Sequence, residues 1–384
     1  MPSSTVISGV QYSGIWTMNQ VNAAIAAGTW TGLSSLYSWG RGNSGQLGLG
    51  NATYYSSPKQ VGALTTWLTI SAGHYSSSLA IKTDGTLWAW GYNAQGQLGL
   101  GNLANYSSPK QVGALTAWSK IEGGRLFTLA TKTDGTLWSW GQNNSGQLGL
   151  GNTTSYSSPK QVGALTTWLT IAGGHYHTIA IKTDGTLWTW GNNYTGQLGL
   201  GNTTYYSSPK QVGILTTWSK IKGGNYFTVA TKTDGTLWSW GQGSAGQLGL
   251  GNTTSYSSPK QVGALTAWST ISGSTSFALA VKTDGTFWAW GQGSSGQLGL
   301  GNTTSYSSPK QVGSLTTWSK IAAGSQFTSA TKTDGTLWSW GANTNGQLGL
   351  GNTTAYSSPK QVGALTKWSN ITCGSAHTLA IATT

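Results

Sequence analysis

The chain has 384 residues and a formal charge of +13 with only 7% charged side chains, yet its 22 Trp and 16 Tyr supply ample apolar area for a folded core. One cysteine, Cys373, excludes an internal disulfide, and no apolar run approaches the ~20 residues needed to span a bilayer, so no membrane insertion is expected. With seven acidic residues and four histidines in all, there is little material for acid–base or metal chemistry.

In chain order, Met1-Pro2-Ser3-Ser4 opens without the basic-then-apolar pattern of a secretory signal, which predicts a soluble product made in the cytoplasm. Residues 1–34 read as a separate extension. Thr17-Met18-Asn19-Gln20 fits a capping box, Met18, Val21 and Ile25 share one helical stripe, and Gly28 is a stop signal, so one short helix is predicted. The segments 12–17 and 26–30 resemble the opening segments of some bacteriophage and environmental viral structural proteins. That resemblance implies incorporation into a virion, with a virion neighbour contacted through residues 1–34.

From residue 35 the chain repeats. Trp-Gly, four residues, then Gly-Gln-Leu-Gly-Leu-Gly-Asn occurs seven times, led by Trp39, Trp90, Trp140, Trp190, Trp240, Trp290 and Trp340. The period is 51 residues once and 50 thereafter, the extra residue lying in the run Ser76-Ser77-Ser78. Within a copy, Asp134-Gly135 lies between two alternating segments, the strongest short hairpin signal because both turn positions need φ > 0. The flanking strands are predicted over 127–132 and 137–140, with Trp138 and Trp140 two apart and therefore on one face. The glycine-rich run reads as an ordered loop. Pro159 to Val162 reads as an outer strand with proline at its start, followed by a fourth strand over 168–171. Four short antiparallel strands in each of seven units predict an all-β fold, a seven-bladed β-propeller over 35–384. The last copy stops after His377 to Ile381 and the first begins at Leu36, so the missing halves are complementary and the terminal strands should pair to close the ring.

Residues 371–381, the segment 133–141 and the Gly-Gln-Leu-Gly-Leu-Gly-Asn runs resemble the regulator of chromosome condensation repeat, over nearly the whole chain. The resemblance implies the propeller. It leaves function open, because members serve nucleotide exchange, chromatin binding, light sensing and enzyme inhibition.

Antiparallel parity assigns faces. If the strand from Trp118 runs toward one face, the next strand runs away and the Asp-Gly turn falls on the opposite face. The loop around Arg125, the loop after Trp140 and the segment after Asn152 therefore share a face. Comparison among the copies shows the turn nearly constant and this face variable. Its Tyr, His and Arg concentrate in the first four copies: His74, Tyr75, Arg125, Leu126, His175, Tyr176, Asn225 and Tyr226 in the first loop; Arg41, Tyr92 and Tyr194 in the second; Tyr54 and Tyr205 at a third position. Later copies are small and polar there. Such residue types favour binding hot spots and predict an asymmetric contact surface for a protein or glycan. Members of the resembled family also use this loop face for contacts.

Four other functions weigh less. Every Asp sits in its own turn, His175 and His177 lack a carboxylate or Cys to complete a metal site, and His377 and Cys373 read as core, so neither catalysis nor a cofactor is expected. The lysines recur once per blade, at Lys59 to Lys360 and Lys82 to Lys332, so the charge forms a ring and predicts loose attraction to anionic surfaces and no specific nucleic-acid readout. The Gly-Trp-Arg-His-Thr loop of light-sensing members is absent, and nucleotide exchange rests on family analogy alone. The sequence thus favours a non-enzymatic interaction module, with a structural scaffold anchored by residues 1–34 as the alternative and an exchange or chromatin adaptor after it.

Overall fold

The computed structural model describes residues 34–63 and 66–383. The helix and the viral resemblance expected for residues 1–34 thus fall almost wholly outside the described residues, the exception being Ser34, which is the first residue of a strand.

Among the described residues, twenty-eight strands form seven four-stranded antiparallel sheets. One blade shows the plan: inner strand Trp118–Gly123, second strand Phe127–Lys132, third strand Leu137–Gly141 and outer strand Tyr156–Gln161. The inner strands contact one another in sequence all the way round and back to the first, so the blades circle an axis. The shared blade closes as expected, with Ser34–Gly40 pairing His377–Thr383 in register from Ser34 opposite Thr383 to Gly40 opposite His377. Pairing the two ends leaves neither as an open edge.

One local expectation is corrected. The outer strand begins at Tyr156, three residues before Pro159, so proline lies inside it. This is tolerated because the strand is at the sheet edge and its register slips between Tyr156 and Lys160, where a missing N–H breaks no ladder.

Packing explains the tryptophans. Trp118, Trp138 and Trp140 lie on one face of their sheet, with Trp118 edge-on to Trp138 at 6.1 Å and to Trp140 at 6.0 Å. Trp140 is fully buried against Leu79, Leu87 and Leu98 of the preceding blade. Its indole Nε1 donates to the Gln97 carbonyl of that blade's glycine-rich loop at 2.9 Å. The same bond recurs at every junction, including Trp39 to the Gln347 carbonyl across the seam. The loop must lie flat on the indole: a Cβ on Gly99, whose φ is +75°, would stand 2.7 Å from Trp140 Nε1. The Gly101 N–H then donates to the Ser157 carbonyl of the next outer strand, fastening blade to blade.

Candidate functional site

Strand order fixes the radial position of each variable residue. The loops joining inner to second strands, at His74, Arg125, His175 and Asn225, lie beside the axis, whereas Tyr54 and Tyr205 precede outer strands at the rim. All lie on the face opposite the Asp-Gly turns, as parity requires. Near the axis the chain approaches itself so closely that a Cβ on Gly123 would stand 2.6 Å from Gly73 Cα, and glycine alone fits. The loops are laced together there: the His74 N–H donates to the Gly124 carbonyl and the His175 N–H to that of Gly224.

Seven of the thirteen predicted residues form one continuous cluster. Tyr92 meets Tyr75 edge-on at 5.2 Å, Arg125 lies over Tyr75 at 6.0 Å and over Tyr176 at 5.2 Å, and Tyr176 stacks on Tyr226 at 5.9 Å with 22° between planes. His175 joins from Tyr176 and meets His74 at 5.3 Å. The single extra residue of the repeat lies in the loop between Ala72 and Ser77, and it is this longer loop that carries Tyr75. Asn225 and Leu126 are half-buried beside the cluster through their chain neighbours. Arg41 turns aside to Asn43 Oδ1 at 2.9 Å, and Tyr54, Tyr194 and Tyr205 are exposed, with no ring or cation contact tying them to the cluster among the described residues. The face is thus one axial cluster and a separate scatter toward the rim.

Charge and burial shape the axial cluster. Below it the inner strands place Glu122 and Lys222, two blades apart, in a salt bridge of 2.6 Å across the channel. Burial, reinforced by Lys222, pulls His74 down to about 4; burial and then His74 pull His177 down to about 3. Burial, then His74, Arg125 and His177, hold His175 well below the ordinary imidazole value. All three rings are neutral at pH 7, so Arg125 supplies the positive charge. The salt bridge was not foreseen. Its signal was present, because Glu122 and Lys222 occupy the inner-strand position where other copies have Ser71, Ala172, Ser272, Ala322 and Thr372.

Each turn Asp accepts from the N–H and hydroxyl of the Thr two residues on, as Asp134 does from Thr136 at 2.9 and 2.7 Å, which accounts for its lowered pKa. His177 and His377 are fully buried, with Nε2 within 3.1 Å of Thr228 Oγ1 and 3.2 Å of Ser78 Oγ. Burial pushes the Cys373 thiol up to about 12. Among the described residues no three His, Cys, Asp or Glu side chains converge as a metal site needs, and no helix is long and apolar enough to cross a membrane.

The lysines form two rings rather than one. Lys160 and its equivalents girdle the outer wall over Tyr156 and theirs, while Lys132 and its equivalents lie over tryptophans at the turn face, at 3.7 Å from Trp138.

A ring of seven antiparallel sheets, with shape set by near-identical units and chemistry set by divergent loops, defines a seven-bladed β-propeller that presents one asymmetric end. The regulator of chromosome condensation (RCC1) repeat matches residues 34–80, 84–131, 134–181, 184–231, 234–281, 284–331 and 334–381. The chain belongs to that family. Curated relatives include the probable E3 ubiquitin-protein ligase HERC6 of Homo sapiens, 39% identical over 84 residues, which are 21% of this chain and 8% of that protein. The ultraviolet-B receptor UVR8 of Arabidopsis thaliana is 35% identical over 79 residues, 20% of this chain and 18% of that protein. The matched segment therefore spans less than a fifth of either relative. Prp20p of Saccharomyces cerevisiae, whose crystal structure is described with its binding to Gsp1p and histones, superposes with a TM-score of 0.81 over 92% of each chain at 19% identity, a likeness of fold.

Proposed function

We propose that this protein is a non-enzymatic, protein-binding propeller that engages its partner through the axial cluster centred on Arg125. The observation that carries the reading is the continuous chain Tyr92–Tyr75–Arg125–Tyr176–Tyr226, assembled from four blades, where the later copies carry Thr, Ser, Gln or Ala instead. Aromatic and arginine side chains set on a rigid ring lose little freedom on binding and are the residues that dominate protein interfaces. A protein is favoured over a glycan on this face because Arg125 already covers the Tyr75 and Tyr176 rings and Tyr226 stacks on Tyr176, leaving few free ring faces for a sugar. Prp20p, which shares the fold, binds proteins too, Gsp1p and histones. The acids give catalysis little to work with: six Asp are held in turns and Glu122 is paired with Lys222.

The test replaces Tyr75, Tyr176 and Tyr226 by Ala. With the partner identified by crosslinking and mass spectrometry, affinity for it should fall at least a hundredfold while the circular dichroism melt stays within a few degrees. Unchanged affinity sinks the reading. Attachment to a virion through residues 1–34 is a further part of the proposal, and absence of the protein from purified particles, or full retention after deleting those residues, would refute it. Stimulated nucleotide release from a small GTPase would instead favour the exchange-factor alternative.

A further inference from the structure

The outer wall carries a second kind of site, formed where one blade meets the next. Between the blades containing Trp140 and Trp190, a groove of about 410 Å³ is lined by Leu150, Gln161, Leu165, Trp168, Trp188 and Pro209. Equivalent grooves occur at three other junctions, floored by Trp67 and Trp88, by Trp268, and by Trp318 and Trp338. The sequence supplies the same residues at two further junctions, and at the seam Tyr37 replaces the third-strand Trp.

Two observations point to a ligand. The first is the sameness of the four grooves, each walled by Leu, Pro and Trp with a Gln side chain among the lining residues. The groove beside Trp268 is the smallest, about 250 Å³ against about 380 to 440 Å³ in the other three. The second observation is charge. The outer-strand lysines, one per blade at Lys59, Lys110, Lys160, Lys210, Lys260, Lys310 and Lys360, stand next in sequence to the prolines that line the grooves, and no acidic residue lies on an outer strand.

We propose that the outer wall binds an acidic polysaccharide, one sugar ring to a groove, with its carboxylates on the lysine girdle. A sugar ring has an apolar face for Leu165 and Pro209 beside Trp188, whose own ring face Lys182 covers at 3.6 Å, and hydroxyls for the Gln161 amide. A polymer of such rings matches an equally spaced series of identical grooves, and weak single contacts add through avidity. A nucleic acid would use the lysines and leave the grooves unused. This site is on the outer wall and is independent of the axial cluster.

The test measures binding of the whole protein to polygalacturonate, to a neutral glucan and to a random DNA duplex at matched charge concentration. Polygalacturonate should bind at least tenfold tighter than either of the others. K160Q/K210Q/K260Q, all on an exposed edge strand, should weaken it about tenfold. W88L/W188L/W338L should lower the number of galacturonate units held per chain without lowering duplex binding. A melt of each variant within a few degrees of the parent checks folding, and L165S/L315S, which trims two groove walls without touching a Trp, serves as a second groove variant. Equal binding to duplex, or polygalacturonate binding unaltered by both groove variants, overturns the proposal.

Discussion

His177 shows how one buried side chain sets a pH response. It occupies the place where Phe127, Phe227, Phe277 and Phe327 stand in other copies, it is fully buried, and burial holds its folded pKa at about 3. The unfolded chain takes up a proton near 6.5 and the folded ring does not. Stability is therefore complete above about pH 6.5 and declines as pH falls toward 3, by roughly 1.4 kcal/mol per pH unit for this residue. His377, held at about 4 chiefly by burial, contributes in the same direction. His177→Phe should thus gain about 2 kcal/mol relative to the parent on going from pH 7 to pH 5, apart from a pH-independent loss of the contact to Thr228. Urea melts of both proteins at the two pH values measure it, and parallel losses in parent and variant would refute it. Gly99 illustrates the opposite constraint, of space and backbone: Gly99→Ala puts a Cβ 2.7 Å from the Trp140 indole nitrogen at positive φ. The backbone term alone is roughly 1–2 kcal/mol, so the thermal midpoint should drop by at least about 2 °C, and an unchanged midpoint would contradict the packing described.

At the scale of the element, the glycine-rich loop is the joint between blades. Its carbonyl at Gln97 receives both the Trp140 indole and the Thr128 hydroxyl, at 2.9 and 2.8 Å. Trp140→Phe leaves the carbonyl one partner, so the hydrogen-bond loss is mild and lost packing dominates; a destabilisation of about 2–4 kcal/mol is expected in a denaturant titration. The strands themselves were legible because a period of two and an Asp-Gly turn are local signals. The outer strand is at the edge, as the sequence implied, and only its start was misjudged, for a local reason as well: proline reads as a first residue, and only the sheet shows the register slip that lets three residues precede it. The Glu122–Lys222 pair was missed because its partners lie 100 residues apart in sequence, and nothing short-range links them.

For the molecule as a whole, closure is the decisive event. The last strand pairs with the first, and the Trp39 indole reaches the Gln347 carbonyl across the seam at 2.9 Å. Deleting residues 377–384 removes the strand between Ser34–Gly40 and Trp368–Cys373 and exposes two edges at once. The truncated chain should lose cooperative unfolding and aggregate at concentrations where the full chain is monodisperse, as sedimentation would show; a soluble, cooperatively melting product would refute the seam's role.

By itself the sequence determined the number of blades, the strand order within each, the closure of the ring and the face on which the copies diverge, because these follow from periodicity and antiparallel parity. Only the tertiary structure decided which divergent residues touch: Arg125 between two tyrosines near the axis, Tyr54 and Tyr205 out at the rim, Glu122 against Lys222 across the channel. Parity gives the sense of a strand but carries no radius, and distance from the axis arises only when seven sheets pack around it.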